Sequence, residues 1–465
     1  MKKKIYIVMM SCLGLWSCED FDDLNVNPNL PSEASGTQLI ANAALSLPSL
    51  SSSPTGEFMA QYLAETQYVT ASLYPAGGSS FYWLYEGPLM NLQAVLDNAE
   101  DLDGNEGPVA NQLAVAKILK AYYFWHTTDR WGDVPYTEAL QGSKNFTPKY
   151  DSQESIYNSL FALLDEADQQ IVSGSISNDI IYGGDMAKWQ KLGNTIRLLM
   201  ALRLSEVDPA KASAEFNKAL EGGVMASNAD NLVFRHLAEA NNQSYWYGQW
   251  VASNREWWAL TETLVDEMKP VNDPRLEVYG QPARKTGAYV GLNFGETKSM
   301  NTDDYSLLGQ AIYAQDAPIY LVTYAQVLFA KAEAAKRGWI AGGDAEAEAN
   351  YNQAITQSVQ QWTGSTAGVD ELLAQEEIAY DPASAIEQIA TQRWVHLFMH
   401  GYEAWAEYRR TGYPDNLVAP GGAAVPARQM YPDLEAQNNA ANYNEAVQRQ
   451  FGGTDGLYGQ LWWDK

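Results

Sequence analysis

Histidines, carboxylates and aromatic rings are the residue types in this chain that could do chemistry. His396 and His400 stand i,i+4 in "RWVHLFMHGYEAW", a spacing able to hold a metal ion. The glutamate of an H-E-x-x-H motif is absent, and the chain has only 4 histidines, so packing or capping is expected of both. "DLDGNE" at 101–106 opens like a calcium loop, yet lacks glycine at its sixth position and glutamate at its twelfth. It predicts a turn after a helix. The 57 Asp and Glu include no pair singled out by context, whereas a glycan hydrolase needs two carboxylates about 5–10 Å apart beside an aromatic subsite. No nucleophile elbow, phosphate loop or dinucleotide fingerprint occurs. The expectation is a protein with no catalytic residues, metal site or cofactor.

Aromatics supply the stronger signal. "YVTASLYPAGGSSFYWLY" (68–85) and "SYWYGQWVASNREWW" (244–258) hold rings that follow no helical period. Sugar rings present flat C–H faces and hydroxyl rims, so a glycan receptor needs rigid aromatic platforms with planar hydrogen-bonding groups beside them. Tyr68, Tyr74, Tyr82 and Trp83 from the first stretch, and Trp246, Tyr247 and Trp250 from the second, are the expected platforms. Asn242, Gln243 and Arg255 are the expected polar partners. Trp257 and Trp258 are expected to begin the helix "EWWALTETLVDEM" and to face the core. A third insertion, 282–316, carries Tyr289, Tyr305 and Tyr313, and could wall the same site or meet a partner.

The elements that must position these groups are helical. "VANQLAVAKILKAYYFWHTTDRWG" is apolar on two faces, the pattern of a buried helix. "DMAKWQKLGNTIRLLMALRLSE" has Asp185 placed to cap its start. Segments 109–127 and 153–172, 185–205 and 209–221, and 318–337 with the stretch after "WIAGGD" pair as helix hairpins, the last near the 34-residue tetratricopeptide period. Pro318 is expected to open its helix. "NLVFRH" and "AYVGLNF" are the only plausible short strands. The fold class expected is all-α: tetratricopeptide-like helix hairpins with long irregular loop insertions. Length alone would suggest about three domains, yet the repeats run on without a break.

The N-terminus sets the compartment. Lys2, Lys3 and Lys4 precede the apolar run "IYIVMMSCLGLW", too short to span a bilayer core of about 30 Å, so residues 1–17 read as a signal peptide. Leu15, Ser17 and Cys18 resemble the lipobox of bacterial lipoproteins, with Cys18 as the lipidated residue. Cys12 lies in the removed segment, so lipidation would leave no free thiol for disulfides or metals. Three acyl chains, as such lipoproteins carry, exceed the two signals needed for stable membrane residence. Glu19, Asp20, Asp22 and Asp23 resemble the acidic export tag of Bacteroidota surface lipoproteins, within a flexible tether at 18–35. The formal charge is -27 and reaches -30 once Lys2, Lys3 and Lys4 are removed. Such a surface repels phosphate backbones, which argues against nucleic acid. Averaged over the molecule, it equally disfavours sulfated or uronic acid cargo.

Seven segments then carry a family resemblance: "DRWGDVPYTEAL", "NTIRLLMALR", "NDPRLEVY", "FAKAEAAKRGW", "RRTGYP", "ARQMYP" and the terminal "LWWDK". In order, and with the lipobox, they resemble SusD/RagB-like nutrient-binding outer-membrane lipoproteins. "RWGDVPY" with "RRTGYP" is similar to the second branch of that family. The resemblance implies that residues 36–465 form one α-helical ligand-binding domain facing a SusC-like, TonB-dependent transporter. It implies a non-enzymatic, surface-exposed, lipid-anchored protein that captures an oligosaccharide, or a peptide or other nutrient, and passes it on. The motif residues themselves are expected to be structural. Trp131, Gly132, Pro135 and Tyr136 suit a helix end and turn, and Arg409 and Arg410 suit i,i+4-type ion pairs with Glu403 and Glu407.

Overall fold

A computed structural model describes residues 34–418, 420 and 424–464. The expected signal peptide, Cys18 and the acidic tag lie outside the described residues. Ser35 caps the first helix, α1 (Gly36–Leu45), through a capping box with Gln38. It is followed by α2 (Pro54–Met59) and α3 (Met90–Asp97). The turn expected at 101–106 follows α3, with Asp103 accepting from the Asn105 N–H.

The expected hairpins are present. Helix α4 (Val109–Trp131) packs on α5 (Gln153–Gln170), and α6 (Met186–Arg203) on α7 (Pro209–Gly222). Asp185 accepts from the N–H groups of Ala187 and Lys188 at the start of α6, satisfying donors that a helix terminus otherwise leaves orphaned. After α8 (Glu262–Met268), α9 (Tyr324–Lys336) pairs with α10 (Gly343–Thr363). Helices α11 (Ala385–His396), α12 (Gly401–Thr411) and α13 (Ala440–Phe451) complete the set used below. Among the described residues no helix is long and apolar enough to cross a membrane.

Strands are short and come as antiparallel pairs: β1 (Leu63–Glu65) with β5 (Trp258–Leu260), β2 (Val134–Pro135) with β3 (Tyr150–Asp151), and β4 (Leu232–Arg235) with β6 (Pro318–Val322). Three expectations are corrected here. Pro318 opens β6 rather than a helix, and α9 begins only after Thr323, whose capping box with Gln326 sets its start. Strand β6 alternates half-buried Pro318 and Tyr320 with buried Ile319 and Leu321, a period of two that a helix cannot use. "AYVGLNF" forms no strand, and Leu292 makes only an isolated bridge to Thr261. Trp258 belongs to β5, and the helix begins after Thr261 caps α8.

The "RRTGYP" arginines also differ from expectation. Arg410 does pair with Glu407 (2.8 Å), and with Glu333 (2.7 Å). Arg409 pairs with no carboxylate among the described residues. Its guanidinium stacks on Trp405 (3.7 Å) and Trp463 (4.7 Å) and donates to the carbonyls of Ala427 and Asp129. Arg203 binds Asp129, Glu403 and Glu407, and Arg393 binds Glu403 and Glu407. These buried charges neutralise one another across α4, α6, α9, α11 and α12, and they reach no open cleft.

Two large apolar cores divide the chain. One is built on α1 and α3–α7. The other gathers Tyr62, Trp246, Trp250, Trp258, Trp394 and Trp405 around β1 and β5. A third, smaller cluster lies between α9 and α10. The candidate site stands at the rim of the second.

Candidate ligand-binding site

The β1–β5 pair is the frame of the site. Its register sets Glu65 opposite Trp258 and Leu63 opposite Leu260. Trp258 is buried, 3 % exposed, and Trp257, just before β5, packs half-buried against it (ring centroids 5.4 Å apart) while also bordering an open cleft of about 260 Å³. Tyr68, three residues past β1, comes to the same cleft with 62 % of its surface exposed. The Tyr68 and Trp257 rings meet edge to face, with centroids 5.0 Å apart and planes at 67°. Two rings at that angle make a corner, with one flat face and one side wall.

Polar groups rim the corner. Gln67, Asn254, Glu256 and Thr302 complete the lining. The backbone under it is tied down: both the N–H and the Oγ1 of Thr66 donate to the Trp257 carbonyl, at 2.9 and 3.0 Å. The Gln67 side chain donates to Thr302 Oγ1 (3.3 Å), and Ser299 Oγ donates to the Gln67 carbonyl (2.9 Å). Glu256 is fixed by Arg284 (2.5 Å), which also reaches Asp303 (3.4 Å). The Arg255 guanidinium lies 5.9 Å from the Trp257 ring centroid and donates to Gln249 Oε1 (2.9 Å). Behind the platform, burial pushes the Glu65 carboxyl up to about 7.

Of the ten expected ligand residues, Tyr68 lines this cleft, and Arg255 lies beside its Trp257 wall without lining it. Trp246 and Trp250 are 1 % and 4 % exposed. Trp246 packs edge-on against Trp258 (5.3 Å) and Trp250 stacks on Tyr313 (5.0 Å, 10°). Both rings are core anchors, and burying a large apolar side chain stabilises the fold by roughly 1.5–3 kcal/mol. Tyr74 is also interior: its hydroxyl accepts from Gln61 and its ring lies against Phe294. None of these three rings lines the Tyr68–Trp257 cleft, and their burial corrects the expectation that they are open platforms.

Tyr82 and Trp83 pack on the first core, with the Tyr82 hydroxyl donating to Glu435 (2.6 Å). They belong to a different part of the molecule. Asn242 closes a turn, its carbonyl accepting from Leu237 N–H (3.1 Å) and contacting His236 Nδ1 (3.0 Å). Gln243 accepts from Gln315 (3.4 Å), and the Tyr247 N–H caps onto Ser244 Oγ (3.1 Å). None of the three lines the Tyr68–Trp257 cleft. The third insertion contributes Thr302 to the wall, while Tyr289, Tyr305 and Tyr313 pack on the second core.

Gln67, Asn254, Glu256 and Thr302 are cleft-lining residues that the sequence reading did not single out, and Trp257, expected to face the core, packs on it half-buried while also bordering the cleft. His396 is buried and bonded to Thr323 Oγ1 (2.7 Å) and Ser358 Oγ (2.9 Å). His400 is buried at the N-cap of α12. Among the described residues no group of three or more His, Cys, Asp or Glu is arranged to hold a metal ion.

A SusD-like family profile, described as "Starch-binding associating with outer membrane", matches residues 28–432. No curated protein matches. A solved "chitin-binding protein" is similar at 31 % identity with a TM-score of 0.82, over 92 % of this chain and 100 % of that one. A SusD homolog from Bacteroides fragilis is similar at 28 % identity and TM-score 0.81, over 93 % and 100 %. A chitin-binding SusD homolog from Flavobacterium johnsoniae, at 24 % identity and TM-score 0.76 over 92 % and 98 %, shares the fold.

Proposed function

Since the chain belongs to the SusD-like family of starch-binding proteins that associate with the outer membrane, we propose that it captures an oligosaccharide on the Tyr68–Trp257 corner without breaking it. The fold is that of a SusD homolog, and the family is described as starch-binding, which favours binding over hydrolysis. The observation that carries the reading is the edge-to-face pair of exposed Tyr68 and half-buried Trp257 at the cleft, rimmed by amide, hydroxyl and carboxylate groups. A pyranose can lay its apolar face on Trp257 and abut Tyr68, while its hydroxyls reach Gln67, Asn254 and Thr302. Preorganisation matters because each side chain fixed in advance lowers the entropy cost of binding. Arg284 already holds Glu256, so that carboxylate acts as an acceptor at the rim. The printed descriptions of similar proteins favour starch- or chitin-type glycans as first candidates.

Delivery to a SusC-like, TonB-dependent transporter, with anchoring through Cys18 in the outer membrane, completes the proposed role. A protein that holds sugar by shallow contacts releases it readily, which suits hand-over. The test is calorimetric titration of the purified chain with α-glucan and chitin oligosaccharides. One of them is expected to bind saturably and to be recovered intact. Trp257→Ala and Tyr68→Ala are each expected to weaken it about tenfold, the loss of roughly 1.4 kcal/mol of ring contact. Binding unchanged in both variants would refute the site, and shortened product would refute the non-enzymatic role.

A further inference from the structure

Past Tyr68 the chain runs on from the corner into the wall of a second cleft. The short turn Val69–Ser72 lies between the two, and its Ala71 N–H donates to the Tyr68 carbonyl (2.9 Å). Tyr68 lines the corner and Ala71 lines the second cleft, so the two walls stand one hydrogen bond apart. The ridge between them is low. Val69 and Ser72 are buried, which leaves only Thr70 and the small Ala71 exposed on the turn.

The second cleft holds about 230 Å³. Drug-sized ligands occupy pockets of about 300–1,000 Å³, so it suits a single ring. Its lining joins apolar Met430 and aromatic Tyr402 to polar Ser79 and Gln429. These walls are fixed in advance. The Ser79 N–H donates to the Met430 carbonyl (3.2 Å), and Trp131 Nε1 donates to the carbonyls of Ser79 and Met430, at 3.0 Å each. The Gln429 N–H donates to the Arg130 carbonyl (2.8 Å), and Gln429 Oε1 accepts from Arg130 Nε (2.6 Å). A Cβ on Gly78 would lie 2.6 Å from the Tyr431 carbonyl oxygen, so the loop wall reaches its place only through a glycine. Walls set before a ligand arrives lower the entropy cost of holding it.

Two single-ring clefts set next to one another favour a chain of sugars over a lone one. Three residues of a 3₁₀ turn rise about 6 Å, close to the length of one sugar unit along a glycan. A chain with one unit in the corner can therefore pass its next unit over Thr70 and Ala71 and seat the following one in the second cleft. That second contact forms within a complex already made, so it adds affinity without a fresh cost of association. On the premise of capture at the Tyr68–Trp257 corner, we propose that the second cleft extends the same binding site, so that the cargo is a glycan chain of about three units or more and not a mono- or disaccharide.

The experiment titrates the chain with α-1,4-glucan and chitin oligosaccharides of increasing length. In the series that binds, affinity is expected to rise about tenfold or more from the disaccharide to the tetrasaccharide and to level off beyond it. Ala71→Ile and Gly77→Ile place branched side chains, which have no flat face for a sugar, on exposed residues of the second cleft. A Cβ on Gly77 meets nothing within 4 Å, so the substitution has room. Each variant is expected to bring the tetrasaccharide down to the affinity of the disaccharide and to leave the disaccharide as it was. Trp257→Ala is expected to weaken both lengths, which separates failure of the extension from failure of the corner. Equal affinity for the two lengths in the unaltered chain, or tetrasaccharide binding undiminished by the two isoleucine substitutions, would overturn the extension while capture at the corner stands. No binding at any length would remove the corner and the extension with it.

Discussion

At the scale of single residues, small differences in burial separate rings that look alike in sequence. Trp257 and Trp258 are chemically identical and adjacent, yet one lines a cleft and the other is 3 % exposed. Composition identified the aromatic-rich stretches, and of the residues expected there Tyr68 lines the cleft. Trp246, Trp250 and Tyr74 were misread because an aromatic cluster looks the same in sequence whether it forms a platform or a core. Buried acids give a residue-scale prediction. Burial raises the Glu57 carboxyl from 4.5 to about 8, so the folded chain holds that proton more tightly than the unfolded chain. Its stabilising contribution is complete below about pH 4.5 and is lost as pH rises toward 8. Glu57→Gln should therefore flatten this part of the pH–stability curve and gain stability at pH 8, on the order of a few kcal/mol. Denaturant melts of both proteins from pH 5 to about pH 9 check it; parallel curves would refute the assignment.

At the scale of elements, the hairpins were readable because their apolar period and their caps agree. Asp185 and the Pro209 start stand where the sequence put them. Strands β1, β5 and β6 were not readable: each is three to five residues long, too short for alternation to outvote a neighbouring helical pattern. Yet β1 and β5 are what hold the site. Helix packing beside them depends on glycine. At the crossing of α2 and α12, a Cβ on Gly401 would lie 2.2 Å from the Gly56 carbonyl carbon and 2.5 Å from the Glu57 nitrogen. Backbone cannot yield as a side chain can, so Gly401→Ala should destabilise by about 1–3 kcal/mol or more. Gly456, with nothing within 4 Å, is the control, and Gly456→Ala should melt like wild type. Equal melting of the two variants would show that the helices are not in close contact.

At the scale of the whole molecule, the fold class and the family were legible from the order of seven weak segments, because a scaffold held by buried ion pairs and turn aromatics constrains those residues along its length. Arg203 and Arg410 serve that frame. The cargo was not legible, since the cleft is assembled from 67–68, 254, 256–257 and 302, positions that no repeat ties together. Membrane residence belongs to this scale too. Cys18→Ala is expected to move the protein from the membrane fraction to the soluble one and to end co-purification with a TonB-dependent barrel after mild detergent extraction. Retention in the membrane would refute the lipid anchor.

The central claim concerns where sugar sits, and a crystal structure of the chain with the oligosaccharide that titrates best tests it most directly. The account predicts one pyranose face against the Trp257 ring, Tyr68 at its edge, and hydroxyls within hydrogen-bond distance of Gln67, Asn254 or Thr302. A ligand bound elsewhere, with Tyr68 and Trp257 bare, would contradict it.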